Sequence, residues 1–291
     1  MRRERVRDQK SLLRWAPKAS VGIGILIVMV LMGVLHGPIL VLLGLGNADS
    51  TARELARSRP HGWIAFLGPY RLELAAIVVA LWNSLRIGFE AGSLSTAIGV
   101  TIAFYAGYRG GVLDSILSTI TDVFLVIPAF PLVAAFAAYA RSGITINVIA
   151  VILSVFGWAI AARPIRSHVL SLRTRSFVDL ARTSKEGTAE IIFTELLPNM
   201  LPYIAMGFSQ AVMMAILSVI GLDVFGLGPA QTTDLGSLVY GAVAGPAMVL
   251  GEWQAVIMPM ATVVLLFLAL GLIVLGLEER FNPRLRRVVD Q

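Results

Sequence analysis

The 291-residue chain contains 24 Lys and Arg residues against 18 Asp and Glu, a formal net charge of +6, and its residues are 57% hydrophobic but only 14% charged. Because an average soluble domain has about 25% charged residues, this composition excludes a soluble globule, a disordered chain and a collagen or coiled-coil rod, and it indicates a polytopic membrane protein. The absence of cysteine excludes a disulfide framework, a thiolate metal site and a cysteine nucleophile.

Motifs of common enzymes are missing from the sequence. None of the three lysines follows a glycine, so there is no Walker A phosphate loop, and neither a G-x-S-x-G motif nor a metal-binding histidine spacing occurs. The arginines lie in blocks beside long apolar runs, which is typical of membrane topology rather than of a nucleic-acid-binding face. We therefore predict a protein of the lipid bilayer that is not an enzyme and binds no nucleic acid.

Six segments are long and apolar enough to span a membrane, which takes about 20 residues because the hydrocarbon core is about 30 Å thick. These segments are Val21–Leu45, Ile87–Ala106, Ile116–Tyr139, Ile144–Ala162, Leu201–Leu222 and Ala255–Leu277. We predict that Pro128 and Pro131 kink the third span. The stretch Leu74–Trp82 is too short to span alone. It is either an interfacial or packed external helix, or the leading end of the second span.

The distribution of Lys and Arg predicts the orientation. Most of these residues fall in the segments 1–20, 163–200 and 278–291, and positively charged loops stay in the cytoplasm. Six spans then place both termini on the cytoplasmic side. The predicted organisation is a cytoplasmic N-terminus over 1–20, a first span over 21–45, an extracytoplasmic loop over 46–86, a core over 87–277 and a cytoplasmic tail over 278–291.

The cytoplasmic loop 163–200 has helical periodicity of its own. Phe177, Leu180 and Ala181 follow one another at the spacing of one helix face, and Gly187 interrupts that pattern. A second periodic segment follows until Pro198, which we expect to end it. Two short amphipathic helices hinged at a glycine, placed between two spans, could dock on a cytosolic partner.

The same loop resembles the EAA loop of ABC importer permeases, whose pattern is EAA, three residues, Gly, nine residues and I-x-L-P. In this register Asp179, Leu180 and Ala181 correspond to EAA, Lys185 to the glycine, and residues 195–198 to I-x-L-P. Lys185 thus departs from the family glycine, and we expect Gly187 to supply the break two residues later. The wider loop is similar to the dipeptide/oligopeptide permease family, with matches at Arg163, Arg166, Val169–Leu172, Phe177, Val178, Ala181, Arg182, Ile191–Phe193 and Leu197–Asn199.

The resemblance extends over about residues 84–286. Residues 84–128 contain SLRIGFEAG and AGYRGGVLDS, residues 215–228 read AILSVIGLDVFGLG, and the tail contains NPRLR. Together these motifs are specific for the family, although each alone is weak.

The resemblance implies an all-α, type I ABC importer permease in the cytoplasmic membrane of a prokaryote. Its partners would be a second, homologous permease, two cytosolic ATPases that hold ATP and Mg²⁺, and an extracytoplasmic substrate-binding protein, and this chain would carry no cofactor. The expected cargo is di- or oligopeptides, with oligosaccharides or nickel chelates as alternatives. An ion-coupled secondary transporter is the alternative from another class, and it would need paired ionisable residues within the membrane.

The resemblance also implies a set of functional residues. Those expected to couple to the ATPases are Phe177, Asp179, Ala181, Arg182, Lys185, Gly187, Glu195 and Pro198. The fifth span is the best candidate for lining the transport route, because it carries polar and Met side chains within the membrane. The lining candidates are Gln210, Met213, Met214 and Ser218.

Two carboxylates within or beside the spans need a separate explanation. Asp122 is a candidate for a proton or ion relay, but we favour packing or an ion pair with Arg109 or Arg163. Glu90 is expected to reach the interface or pair with Arg86, four residues earlier, rather than contact a substrate.

Overall fold

The computed structural model describes residues 17–43, 70–139, 145–229, 232–245, 247–251 and 253–281. Every regular element in these ranges is a helix, which confirms the predicted all-α class. In chain order they are α1 (Pro17–Val34), α2 (His36–Leu42), α3 (Tyr70–Arg109), α4 (Gly111–Val126), α5 (Ala129–Tyr139), α6 (Ile146–Leu172), α7 (Ser176–Thr183), α8 (Thr188–Val224), α9 (Leu235–Ala244), α10 (Ala247–Leu250) and α11 (Trp253–Phe281). Residues 1–16 of the predicted N-terminus 1–20, residues 282–291 of the predicted tail 278–291, and residues 44–69 lie outside the described residues.

Five of these helices, α1, α3, α6, α8 and α11, are long and apolar enough to cross a membrane, and α4 with α5 forms a sixth candidate span that is bent by 69°. The bend falls at residues 127 and 128, where Pro128 separates the two helices, so the predicted proline kink is a full break. A proline lacks the N–H of a helical hydrogen bond, and its ring restricts the preceding residue to an extended conformation.

Helix α3 starts much earlier than the hydropathy pattern predicted. It begins at Tyr70 and runs for 40 residues, so the stretch 74–82 is the leading end of the second span and the predicted extracytoplasmic loop 46–86 ends too late. Arg86, which lowers the hydropathy near the end of this stretch, is paired, and its predicted pairing with Glu90 is confirmed. The Arg86 Nε donates to Glu90 Oε1 at 2.7 Å, and Arg86 Nη2 donates to Asn147 Oδ1 at 2.9 Å.

Helix α8 also passes through a predicted boundary, because Pro198 does not end it. The turn before Pro198 is a π-helix over Ile191–Leu196, after which α-helical geometry continues to Val224. Inside a regular α-helix, a proline ring collides with the carbonyl group of the residue four positions earlier. The wider π turn before Pro198 shifts that carbonyl group away from the ring. The fourth span likewise continues past its predicted end, through Pro164 to Leu172.

The long helices pack closely through small residues. A Cβ added to Gly99 of α3 would lie 2.8 Å from the Trp158 carbonyl oxygen of α6, and one added to Gly92 would lie 3.1 Å from the Val212 amide nitrogen of α8. Lipid tails are as apolar as leucine, so membrane helices associate through such close packing rather than through the hydrophobic effect. Helix α3 is therefore the central helix of the bundle.

The two ends of the bundle differ in charge. One end carries Arg109 of α3, Arg163 and Arg166 of α6, and helix α7, and we call it the basic end. The ion pair between Lys18 of α1 and Glu279 of α11 also lies at this end. The opposite end carries the start of α3, the end of α8 and helix α9.

Candidate functional site: a central groove and a connected surface helix

The described part of the chain contains a groove of about 970 Å³ bordered by α3, α5, α6, α8 and α11, which we call the central groove. Three of the four lining candidates, Gln210, Met214 and Ser218, contribute to its wall. They follow one another at four-residue intervals and therefore occupy one face of α8. Met213 lies on another face, where it packs against the cluster that contains Met29, so the structure does not place it in the groove.

The wall of the central groove alternates apolar and hydrogen-bonding side chains. Phe130, Phe156 and Met206 contribute apolar surface, and Ser95 and Gln210 contribute polar groups. Such a wall can bind an amphiphilic ligand without selecting one side-chain type.

Besides Ser95 of α3, three polar residues of the groove were not predicted from the sequence. His168 of α6 and Tyr203 of α8 place their ring centroids 3.9 Å apart, and Glu278 of α11 joins them along the wall. Tyr203 stands seven residues before Gln210, on the same helix face, and that spacing was the one available signal in the sequence. The contributions of α6 and α11 depend on helix packing alone.

Helix α7 packs firmly against the beginning of α8. Val178 and Ala181 are buried together with Ile191 and Leu196. Leu180, which the periodicity placed on the same face as Ala181, instead points outward and is 68% exposed. Phe193 of α8 is 67% exposed. We call Leu180 and Phe193 the exposed apolar pair.

The turn between α7 and α8 is hinged at Lys185 rather than at Gly187. Lys185 has a φ of +60°, whereas Gly187 has an ordinary φ of −68° and immediately precedes α8. The Lys185 N–H donates to the Arg182 carbonyl oxygen at 3.1 Å, and the Glu186 N–H donates to that of Ala181 at 3.3 Å. These two bonds form a Schellman cap, whose left-handed residue is usually glycine. The expected break at Gly187 is therefore wrong, and the register that aligned Lys185 with the family glycine has a structural reason.

We predict that Lys185→Gly raises the free energy of unfolding by about 1 kcal/mol, because a left-handed conformation costs an L-residue about 1–2 kcal/mol and glycine very little. Gly187→Ala is the matched control, since a Cβ there meets nothing within 4 Å. We expect it to change the free energy of unfolding by less than Lys185→Gly does. Thermal unfolding of the purified variants measures both. A Lys185→Gly protein less stable than the parent would contradict the assignment of the hinge.

The other candidate coupling residues surround this turn. Arg182 pairs with Asp179 at 3.4 Å, and its guanidinium carbon lies 5.3 Å from the ring centroid of Tyr108 at the end of α3. Phe177 is half-buried against the same cluster. Glu195 is half-buried and Pro198 is exposed, both in the first turns of α8. The candidate coupling residues therefore lie on α7, on the turn that connects α7 to α8 and on the first turns of α8, and they do not form a pocket.

Two ion pairs join α4 to α6 at the basic end. Asp122 lies 3.7 Å from Arg163, which confirms one of the two expected partners, and both side chains are largely exposed. Asp114 and Arg166, 52 positions apart, form a two-pronged pair with distances of 2.6 and 2.7 Å. This second pair was not anticipated, because nothing local in the sequence connects its members.

We predict that Arg166→Met destabilises the protein by about 2 kcal/mol, because Asp114 is only 15% exposed and would lose both of its charged hydrogen bonds. Arg163→Met is the matched control. Its partner Asp122 is 60% exposed, and an exposed pair contributes about 0–1 kcal/mol. Thermal unfolding in detergent compares the two variants, and equal losses would show that burial does not distinguish the pairs.

The described residues do not bring three His, Asp or Glu side chains together in a metal-binding arrangement. What the described part of the chain does present is a membrane groove and, joined to its wall through α8, a short surface helix.

Known proteins share this architecture. A family model described as "Binding-protein-dependent transport system inner membrane component" matches residues 99–287. The chain is 29% identical over 232 residues to the oligopeptide transport system permease protein OppC of Mycobacterium tuberculosis (strain ATCC 25618 / H37Rv), covering 78% of this chain and 79% of the relative. It is 25% identical over 270 residues to OppC of Bacillus subtilis (strain 168), covering 92% and 86%.

A third relative is a putative peptide permease protein of Brucella suis biovar 1 (strain 1330), 29% identical over 261 residues, with 89% of this chain and 85% of the relative covered. Among solved structures, the inward-facing MetNI methionine ABC transporter matches with a TM-score of 0.54 and 20% identity, over 69% of this chain and 96% of that chain. The solved structure shows the permease fold, and the family model covers more than half of the chain. The chain therefore belongs to the binding-protein-dependent transport system inner membrane components, and it is a multi-pass membrane permease of an ABC importer.

Proposed function

We propose that this chain is one of two related permease subunits of an ATP-driven importer of di- and oligopeptides, and that it contributes half of the transport route. The observation that carries the proposal is the wall of the central groove, on which Gln210, Met214 and Ser218 share one face of α8. The names of the relatives, which are peptide permeases in Mycobacterium tuberculosis, Bacillus subtilis and Brucella suis, support the same cargo.

The chemistry of the groove suits peptides. Every peptide has backbone N–H and C=O groups that need hydrogen-bonding partners, whatever its side chains. The Gln210 amide and the Ser95 and Ser218 hydroxyls can supply such partners, while Phe130 and Phe156 provide apolar surface for varied side chains. Selection of the peptide would then rest with the substrate-binding protein, and the groove would need only weak and general affinity.

We further infer that α7 and the start of α8 couple this permease to a cytosolic ATPase. The exposed apolar pair offers a surface for docking, and exposed apolar groups at such a site are typical of protein interfaces. The buried contacts of Val178 and Ala181 with α8 join that surface to the helix that lines the groove. A displacement of α7 on nucleotide binding would therefore move the groove wall as a rigid body.

This inference places the basic end in the cytoplasm, in agreement with the distribution of arginines. The partners would be a second permease across the open side of the groove, two ATPases that bind ATP and Mg²⁺, and an extracytoplasmic binding protein. An ion-coupled transporter working alone is less well supported, because the family model that matches residues 99–287 describes a component of a binding-protein-dependent system.

The test is uptake into proteoliposomes that contain this chain, its partner permease, both ATPases and the binding protein. We expect ATP-dependent accumulation of a labelled tripeptide, with little accumulation of a labelled trisaccharide or a nickel chelate. Vesicles without ATP are the control. Uptake of the sugar or the chelate instead of the tripeptide would refute the peptide assignment, and tripeptide uptake driven by an ion gradient without ATP would refute the importer mechanism.

A further inference from the structure

A pair of buried carboxyl groups lies at the end of the bundle opposite the basic end, and neither of its members lines the central groove. Asp223 is in the last turn of α8 and is 7% exposed, and Asp234 immediately precedes α9 and is fully buried. A buried charge normally needs a partner, since its transfer out of water costs several kcal/mol. Neither the coupling segment nor the groove accounts for these two residues.

The hydrogen bonding of the pair is incomplete. Asp234 Oδ1 accepts a bond from the Ser237 N–H at 2.8 Å and so caps α9. The Oδ2 atoms of Asp223 and Asp234 have no hydrogen-bond donor among the described residues, and the Asp223 carboxylate lies against Gly236, two residues after Asp234. Two ionised carboxylates can only accept hydrogen bonds, so neither can supply the missing donor to the other, and two neighbouring buried charges favour one bound positive species.

The space around the pair limits what that species can be. Gly228 and Gly236 press against the Asp223 carboxylate, and a Cβ added to either glycine would overlap its oxygens. Backbone atoms thus occupy the volume that a metal ion and its further oxygen ligands would require. A proton needs no such volume, and it converts one carboxylate into the missing donor.

The described elements packed around the pair bring no nearby cation. On α3, Ser84 Oγ accepts from the Leu235 N–H at 2.9 Å and Asn83 Nδ2 donates to the Thr233 carbonyl oxygen at 2.7 Å. The Arg86 guanidinium is bound to Glu90 and Asn147. Glu73 lies about three turns before Asn83 on α3.

The remaining neighbours are almost free of titratable side chains. Tyr240 is the one titratable residue in the described parts of α9, of α10, of α11 up to residue 277 and of the connection 225–233. On α8 the next one before Asp223 is Tyr203, more than five turns away.

We propose that Asp223 and Asp234 form a binding site for a single proton, which is shared between their carboxyl groups and holds α9 against the end of α8. In the bound state one carboxyl O–H donates to the other carboxylate. When the proton leaves to water, two negative charges remain in contact within a buried site and repel each other. The attachment of α9 to the fifth span therefore weakens as the pH on that side rises.

The experiment uses the absence of cysteine from the natural chain. Ala242 of α9 is buried, so Ala242→Cys reacts with a maleimide only when α9 moves away. Labelling rates are measured across pH in native membranes, with Asp223 intact or replaced in the same cysteine background. Asp223→Asn is the matched variant, because an amide donates to Asp234 without a proton that can be lost. Both proteins carry the same thiol, so its own pH dependence cancels in the ratio of their rates.

The measured quantity is the labelling rate with Asp223 intact divided by the rate of the Asp223→Asn variant. We expect this ratio to be constant at low pH and to rise by up to about tenfold per pH unit above the point of release, as loss of one proton requires. A ratio that stays constant across pH would overturn the proposal. A ratio that changes with Na⁺ or Ca²⁺ concentration at fixed pH would overturn it in favour of a metal ion. Asp234→Asn, which preserves the helix cap, gives a second variant and should abolish the pH dependence equally.

Discussion

Leu180→Asp is expected to reduce ATP-driven transport by about 100-fold while the permease still inserts and folds. Leu180 is 68% exposed on α7, so the change creates no cavity, but it places a charge in the proposed ATPase interface. Loss of a central interface residue costs about 2 kcal/mol or more, and desolvation of the new carboxylate adds to that cost. The measurements are co-purification of the ATPases and uptake into proteoliposomes.

Leu180→Met is the matched control for this substitution, because it preserves apolar surface at the same position and should retain most of the transport. Phe193→Asp tests the second member of the exposed apolar pair and should give the same loss as Leu180→Asp. If Leu180→Asp bound the ATPases normally and transported at the parent rate, the docking role of α7 would be disproved. The thermal unfolding midpoint of each variant verifies that the fold is intact.

Gly99→Leu is expected to prevent assembly of the helix bundle, with a loss of about 3 kcal/mol or more. A Cβ at this position would lie 2.8 Å from the Trp158 carbonyl oxygen and 3.2 Å from the Ala162 amide nitrogen. These neighbours are backbone atoms of α6, which cannot change rotamer, so α3 and α6 would have to separate. Overpacking of a core costs about 1–3 kcal/mol, and occasionally more, and a backbone obstacle belongs to the upper end.

Gly271→Leu is the control for Gly99→Leu. Gly271 lies within α11, and a Cβ there meets nothing within 4 Å, so this variant should accumulate and unfold like the parent. Size-exclusion profiles and thermal unfolding in detergent compare the two. A Gly99→Leu protein as stable as the Gly271→Leu protein would show that α3 and α6 do not pack as closely as described.

The apolar spans and the family were predictable because both depend on local information. Hydropathy over about 20 residues identifies a span, and the family motifs of the loop 163–200 are contiguous. The start of α3 was missed for the same reason. Arg86 and Glu90 lower the local hydropathy; their pair was predictable from the four-residue spacing, but only the structure reveals that Arg86 also binds Asn147.

The lining candidates illustrate the limit at the level of single residues. Met213 and Met214 are neighbours of identical chemistry, yet about 100° of helical rotation separates them, and only Met214 borders the groove. The hydropathy of α8 does not specify which face packs on α1, α3 and α11. That choice follows from the small residues of the neighbouring helices, such as Gly92, against which Val212 packs.

The amino-acid sequence alone therefore established the membrane class and the family, because these rest on composition and contiguous patterns. The tertiary structure decided that Lys185 is the hinge, that Pro198 lies within a helix, and that Asp223 meets Asp234. Each of these outcomes depends on atoms brought together from separate turns or helices, and their energies are set by contact rather than by spacing along the chain.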